Sequence, residues 1–302
     1  MDNNKLEAIE RFIEKYGSNE KSCTICPRGC GVDRNTELGE CREPFNPRVS
    51  SANLHNGEEP PVSGIHGSGT IFLTGCNLHC VFCQNYPISQ LHDANRQCDI
   101  ETFADMMVRL QKRRAHNINF VTPSHYVYQI VLGLREAIKR GFDIPVVYNT
   151  SGYDRAEIIS DLAGIVDVFL PDAKYADNSV ALRYSDAPNY VEINRAMLLR
   201  IYDKFGSDIE FGEWGIAKRG MIIRHLVIPG EVENSKAVLK WIAENLSPKV
   251  YLSLMSQYFP AYRASSEPKF DNINRRLSHR EYEDVVDFAE GLGFENGWFQ
   301  EG

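Results

Sequence analysis

From Gly67 onward, short β-branched runs alternate with helical stripes, and few architectures accept that pattern. The runs are "TIFLTG" (70–75), "INFVTP" (118–123), "IPVVYNTSG" (144–152), "VDVFLPDAKY" (166–175), "MIIRHLVIPG" (221–230) and "KVYLSLMSQY" (249–258). Between them Val127, Ile130, Val131, Leu134 and Ile138 recur at helical spacing, as do Ile193, Met197, Ile201 and Phe205. Val285, Val286, Ala289 and Leu292 form a last stripe near the carboxyl end. Strands that alternate with helices imply βα units wound around a parallel sheet. A full eight-fold barrel takes about 250 residues, and roughly 190 here hold about six units. The expected fold is therefore α/β, an incomplete (β/α)6 TIM-like barrel over residues 67–302 that closes with a carboxyl-terminal helix.

Residues 1–66 read differently. Leu6, Ile9, Ile13 and Tyr16 mark one face of a short amphipathic helix. After it, residues 20–66 are rich in Cys, Pro, Gly and Asn with little periodicity, which predicts a small cysteine-braced module and an irregular connection, "NGEEPPVSGIHGSG". The 302 residues carry 33 basic and 41 acidic side chains, net −8, so neither nucleic acid nor an anionic membrane is an expected partner. The run Lys112–Arg114 suits the carboxyl end of a helix, where cations complement the dipole. No apolar run approaches the roughly 20 residues of a membrane span, and the amino terminus lacks the apolar stretch of a signal peptide. A cytoplasmic location is the expectation, and there cysteines stay reduced.

Seven of the eight cysteines fall into two clusters. Cys76, Cys80 and Cys83 follow the first strand with spacing C-x3-C-x2-C. Three such thiolates can hold three irons of a cubane and leave a fourth open, whereas structural zinc wants a fourth ligand. Cys98, fifteen residues on, is the weak candidate for that ligand and reads better as a small buried side chain. Cys23, Cys26, Cys30 and Cys41 make a second set that suits either tetrahedral zinc or a fully ligated iron–sulfur cluster. In parallel βα folds the reacting groups sit at the carboxyl ends of strands. That rule gathers Cys76, "TPSH", "NTSG", "DAKY" and "IPG" on one rim.

"CNLHCVFC", with an aromatic residue before its third cysteine, resembles the signature of the radical S-adenosylmethionine (SAM) superfamily. The resemblance implies a [4Fe–4S] cluster on the three thiolates, with SAM chelating the open iron, and SAM cleavage that yields a radical able to abstract hydrogen. It places Phe82 near the adenine. Nearly the whole chain, through "CTICPRGCGVDR", "GEEPPVSG", "INFVTPSHYV", "FLPDAKYAD" and "RHLVIPG", is similar to the PflX-like iron–sulfur proteins related to pyruvate formate-lyase activating enzyme.

Against the activating enzymes the match is mixed. Their Gly-Gly-Glu motif is replaced by Thr122-Pro123-Ser124, so neutral oxygens of Thr122 or Ser124 would meet the SAM amino group; Ser124 could equally cap the next helix. Their Asp-Thr-Asn-Gly becomes Asn149-Thr150-Ser151-Gly152, a second lost carboxylate. Asp172 and Lys174 resemble their Asp-Leu-Lys, with Lys174 suited to the SAM carboxylate and a structural salt bridge as the alternative. Arg224 resembles their arginine and could hold SAM or pair with Asp172. Gln257 stands about where they have a histidine, while His225 reads as structural. Glu58 and Glu59 receive no role.

The resemblance implies a partner glycyl-radical enzyme and a low-potential donor such as flavodoxin or ferredoxin. Radical modification of another peptide, protein or small molecule is the alternative within the class. A non-catalytic iron–sulfur or zinc protein in electron transfer is the alternative outside it.

Overall fold

The computed structural model describes residues 3–92 and 97–300. Nine strands are found among them: β1 (Val49–His55), β2 (Ser68–Leu73), β3 (Ile118–Val121), β4 (Val146–Thr150), β5 (Val168–Pro171), β6 (Glu210–Phe211), β7 (Ala217–Leu226), β8 (Tyr251–Met255) and β9 (Gly297–Phe299). The helices are α1 (Asn3–Tyr16), α2 (Pro60–Ser63), α3 (Tyr86–Ser89), α4 (Ile100–Lys112), α5 (Val127–Lys139), α6 (Ala156–Leu162), α7 (Asn178–Ser185), α8 (Tyr190–Phe205), α9 (Val232–Asn245) and α10 (His279–Gly291).

All six runs read from the sequence are strands, in the order β2-β3-β4-β5-β7-β8, and each pairs parallel with its neighbour. A helix returns the chain between each pair, as parallel pairing requires. Three strands lie beyond that reading. β1 pairs antiparallel with β2 inside the stretch that lacks periodicity, β6 pairs antiparallel with β7, and β9 extends the parallel ladder beyond β8. Each escaped notice for a local reason: β1 alternates polar and small residues ("VSSANLH"), and β6 and β9 span two and three residues.

The three apolar stripes lie on α5, α8 and α10, and their buried members join one core with Ile9 and Phe12 of α1. The run Lys112–Arg114 does close a helix, α4. Among the described residues no helix is long and apolar enough to cross a membrane.

What matters for chemistry is how the sheet's carboxyl rim is held. Asn194 of α8 donates to the carbonyls of Gly152 (2.9 Å) and Asp172 (2.8 Å), and the Tyr190 hydroxyl donates to the Ser151 carbonyl (3.1 Å). One helix thus ties the ends of β4 and β5 together. Gly152 makes this possible: its φ is +81°, and a Cβ there would stand 2.0 Å from the Asp172 carbonyl oxygen. Gly152→Ala is expected to cost about 2 kcal/mol or more, read as a lowered urea midpoint in equilibrium unfolding. A midpoint equal to the wild type's would show that the rim is not held this way.

Candidate active site

Cys76, Cys80 and Cys83 lie on the loop after β2, which folds back on fixed backbone. The Gly75 N–H donates to the Ile88 carbonyl (3.0 Å), that of His79 to Ser185 (2.9 Å) and that of Val81 to Tyr184 (2.8 Å). The Val81 carbonyl accepts from Ala264 (2.8 Å). Each sulfur also has a polar neighbour: the Leu78 N–H donates to Cys76 Sγ (3.3 Å), Cys80 Sγ lies 3.0 Å from Ser185 Oγ, and Cys83 Sγ lies 3.2 Å from Ser89 Oγ. Tyr175 fixes the Ser185 hydroxyl from behind at 2.6 Å. Hydrogen bonds to sulfur are a lever on cluster potential. Burial raises all three thiols, Cys80 to about 11, against the pull of the nearby Lys174 ammonium. The bare thiols therefore keep their protons near neutral pH, and bound metal is what would displace them.

Lys174 joins this loop to a second group of charges. Its Nζ lies 2.5 Å from Asp172 Oδ2. Burial works against the ammonium, but Asp172 and Cys80 outweigh it and hold the proton more tightly than usual. Asp172 then faces Arg224, with Nε 3.7 Å from Oδ1, and Arg224 meets Glu58 at 3.4 Å and Glu59 at 3.6 Å. Glu58 accepts from Asn119 (3.1 Å) and Asn149 (3.4 Å), and Asn149 accepts from Arg224 (3.3 Å). Burial raises the Glu58 pKa, opposed by Arg224. Side chains from β3, β4, β7 and the segment before α2 thus converge on one buried cluster of three carboxylates and two cations.

The cluster is not internally satisfied. Glu59 Oε2, Asp172 Oδ1, Arg224 Nε, Ser151 Oγ and Asn119 Oδ1 are buried without a hydrogen-bond partner in the structure. Buried polar atoms rarely stay so, and several together mark the place where a polar ligand would complete them.

The expected site residues divide accordingly. Asn149, Asp172, Lys174 and Arg224 are brought together, and Arg224 pairs with Asp172 and both glutamates. Ser151 stands at the rim with its hydroxyl free. Thr122 has a φ of +54° and donates its N–H to the Asn149 carbonyl (2.9 Å). Ser124 does not cap α5: that helix has no side-chain cap, and the buried Ser124 Oγ lies 3.4 Å from Thr150 Oγ1. Phe82 is buried with its ring 5.6 Å from Tyr258. Gln257 is exposed; its side chain donates to Met255 Sδ (3.5 Å), and its carbonyl accepts from Gln84 of the cysteine loop (3.1 Å). Cys98 is half-buried with its sulfur 3.6 Å from the Pro47 carbonyl, beside the Arg48–Gln97 bridge. Glu58 and Glu59 are what the sequence reading left unused. Two adjacent acids before a Pro-Pro pair were visible, but nothing local says that they turn inward.

Known proteins resemble this chain in sequence and in fold. The family model of the radical SAM superfamily matches residues 70–242. An uncharacterised protein of Methanocaldococcus jannaschii is 34% identical over 280 residues, covering 89% of this chain and 75% of that one. A second uncharacterised protein of the same organism is 22% identical over 276 residues, covering 85% and 76%. The crystal structure of HydG, a maturase of the [FeFe]-hydrogenase, superposes with a TM-score of 0.50 at 10% identity, covering 98% of this chain and 64% of that one. That likeness is one of fold. The chain spans about half to two thirds of the length of the solved structures that it matches.

His225 sits within β7 as a structural side chain, its Nδ1 2.5 Å from the Ala173 carbonyl. Burial lowers its pKa to about 4, and that of His125 to about 3. As pH falls below about 6.5 the unfolded chain takes up these protons first, so their stabilisation is present above that pH and is lost toward pH 4. In urea titrations the wild type should lose stability over this window, and His225→Gln should flatten the loss by about 2 kcal/mol. Parallel wild-type and variant curves would mean that His225 titrates freely in the fold.

Proposed function

The chain belongs to the radical SAM superfamily, and from that premise we propose that it is an enzyme that reductively cleaves SAM at Cys76, Cys80 and Cys83 and abstracts a hydrogen atom from a substrate over the buried charge cluster. The donor set fits a cubane: three sulfurs on one loop, each with a polar neighbour, and no fourth cysteine at the loop. When bound, a [4Fe–4S] cluster with an open iron supplies the electron that splits SAM into methionine and a 5′-deoxyadenosyl radical. The sheet, in this reading, is rolled as an incomplete six-fold barrel with the cysteine loop at its rim.

The protein's own part is placement. Lys174, kept charged by Asp172, faces the thiol loop and is suited to the SAM carboxylate. Asn149, Ser151, Thr122 and Ser124 offer neutral oxygens near the rim in place of the carboxylates that activating enzymes carry. Phe82 lies within the loop, and the Gln257 carbonyl is tied to Gln84 beside it. The observation that supports the reading is the chain of ion pairs from Lys174 and Asp172 to Arg224 and the two glutamates, which lies near the three thiols and offers a polar ligand its unpartnered atoms.

Two substrates fit the reading. Resemblance favours a glycyl-radical enzyme as partner, with flavodoxin or ferredoxin as donor. The unpartnered carboxylate oxygens of Glu59 and Asp172 favour instead a small molecule or side chain that brings amine or hydroxyl donors. Protein reconstituted without oxygen, reduced and given SAM should release 5′-deoxyadenosine, and Cys83→Ala should not. Lys174→Met should retain its iron yet release nucleoside about tenfold more slowly or worse. Equal rates for the lysine variant and the wild type would remove Lys174 from the SAM site.

A further inference from the structure

The amides that flank Cys80 pin it to the end of α7. The His79 N–H donates to the Ser185 carbonyl (2.9 Å) and the Val81 N–H to the Tyr184 carbonyl (2.8 Å). Between these two bonds the Ser185 hydroxyl lies 3.0 Å from Cys80 Sγ. Ser185 is wholly buried, and Asp186, left-handed at φ +48°, ends the helix immediately after it. A serine within a helix often spends its hydroxyl on the preceding turn. This one meets sulfur on one side and Tyr175 on the other.

Tyr175 is equally fixed. Its hydroxyl lies 2.6 Å from Ser185 Oγ, and its buried ring stands edge-on to Tyr190 at 5.2 Å. Tyr190 in turn donates to the Ser151 carbonyl (3.1 Å) and accepts from the Lys174 N–H (3.2 Å). The residue that ties the rim together therefore also packs Tyr175 in place.

The direction of these bonds follows from counting hydrogens. A serine hydroxyl carries one hydrogen and can give it once. A thiol at Cys80 can donate to Ser185, but a thiolate bonded to iron has no hydrogen and only accepts. Once Cys80 is a ligand, the Ser185 hydrogen must point at sulfur. The Ser185 oxygen is then an acceptor, and the Tyr175 O–H donates to it. Cys83 has a related arrangement, with Ser89 Oγ 3.2 Å from its sulfur and accepting from Gln90 Nε2 (3.3 Å). There the amide can only donate, so the direction is the same with or without metal; at Cys80 metal sets it.

A donor dipole aimed at a ligating sulfur stabilises the extra electron of a reduced cluster and so raises its potential. At Cys80 this opposes another field. The carboxyl end of a helix carries partial negative charge, and α7 turns that end toward the thiol loop. The Ser185 hydroxyl sets a positive dipole against it.

We propose that, once Cys80 binds iron, Tyr175 and Ser185 donate in series to its sulfur and raise the reduction potential of the cluster held by Cys76, Cys80 and Cys83. The inference rests on the function proposed above, which puts that cluster on the loop. Both are positioning residues: Ser185 acts on the sulfur, and Tyr175 acts through Ser185. Reduction takes one electron from a donor of the iron–sulfur or flavin class. Each relay hydrogen stays on its own oxygen, and no covalent bond forms or breaks.

The test follows the electron paramagnetic resonance signal that SAM shifts, so iron held by other cysteines does not enter. That signal is titrated against potential in reconstituted wild type, Ser185→Ala, Tyr175→Phe and the double variant. At the wild-type midpoint, the ratio of reduced to oxidised cluster should fall about fivefold or more in Ser185→Ala. Tyr175→Phe should lower it by less. In the double variant the loss of the tyrosine hydroxyl should add nothing, because its path to sulfur is gone.

A Ser185→Ala midpoint equal to the wild type's would overturn the inference, as would a Tyr175→Phe effect that is the same with and without Ser185. If Ser185→Ala fails to load iron, Tyr175→Phe decides alone: a lowered midpoint supports the relay and an unchanged one overturns it. Absence of any SAM-shifted signal from the wild type would sink the functional reading and the relay together. A shifted signal with unchanged midpoints would strike the relay alone.

Discussion

The 2.5 Å ion pair between Lys174 and Asp172 is the joint on which the site turns. A buried ammonium is costly unless its charge is met, and this one is met by the Asp172 carboxylate. Asp172 is shared with Arg224, so the field of the cysteine loop is coupled to a cluster that ends at Glu58 and Glu59. Removing either partner of such a pair strands a charge and costs about 3–5 kcal/mol. Loop, rim and charge cluster are therefore one electrostatic unit, although their residues come from six separate stretches of chain.

The backbone serves that unit. Asn194 and Tyr190 hold the ends of β4 and β5, while α7 offers its last carbonyls and the Ser185 hydroxyl to the cysteine loop. On the outer side Glu43, wholly buried, accepts from Thr74, Tyr126 and His92 and fills the space that Gly75 leaves by lacking a side chain. The thiol loop is thus fixed from two faces, by a helix of the βα frame and by the amino-terminal cysteine segment.

How much of this could be read beforehand follows from how local each signal is. The parallel strands were legible because a buried strand of β-branched residues announces itself within six positions, and the three-cysteine loop because its cysteines lie within eight. Asp172 and Lys174 were legible as a pair through their likeness to the Asp-Leu-Lys pattern, but β5 ends at Pro171, so they meet beyond the strand and not through its alternation. Arg224 could be tied to a carboxylate by chemistry, but its choice of Glu58, Glu59 and Asp172 together needed the fold. Glu58 and Glu59 reach Arg224 across more than 160 residues, and no local pattern encodes that. The capping role open to Ser124 gave way for the same reason, since its hydroxyl meets Thr150 of the neighbouring strand and α5 has no side-chain cap. β1 was hidden because polar and small residues suffice on a strand that pairs at the edge of the ladder.

The most direct test of the account is the electron paramagnetic resonance spectrum of the reduced, reconstituted protein before and after SAM is added. The account predicts that SAM shifts one cluster signal, and that the shifting signal is the one lost from the Cys76→Ala/Cys80→Ala/Cys83→Ala protein. A reduced spectrum that SAM leaves unchanged would contradict it, because the open iron would then not be the place where SAM binds.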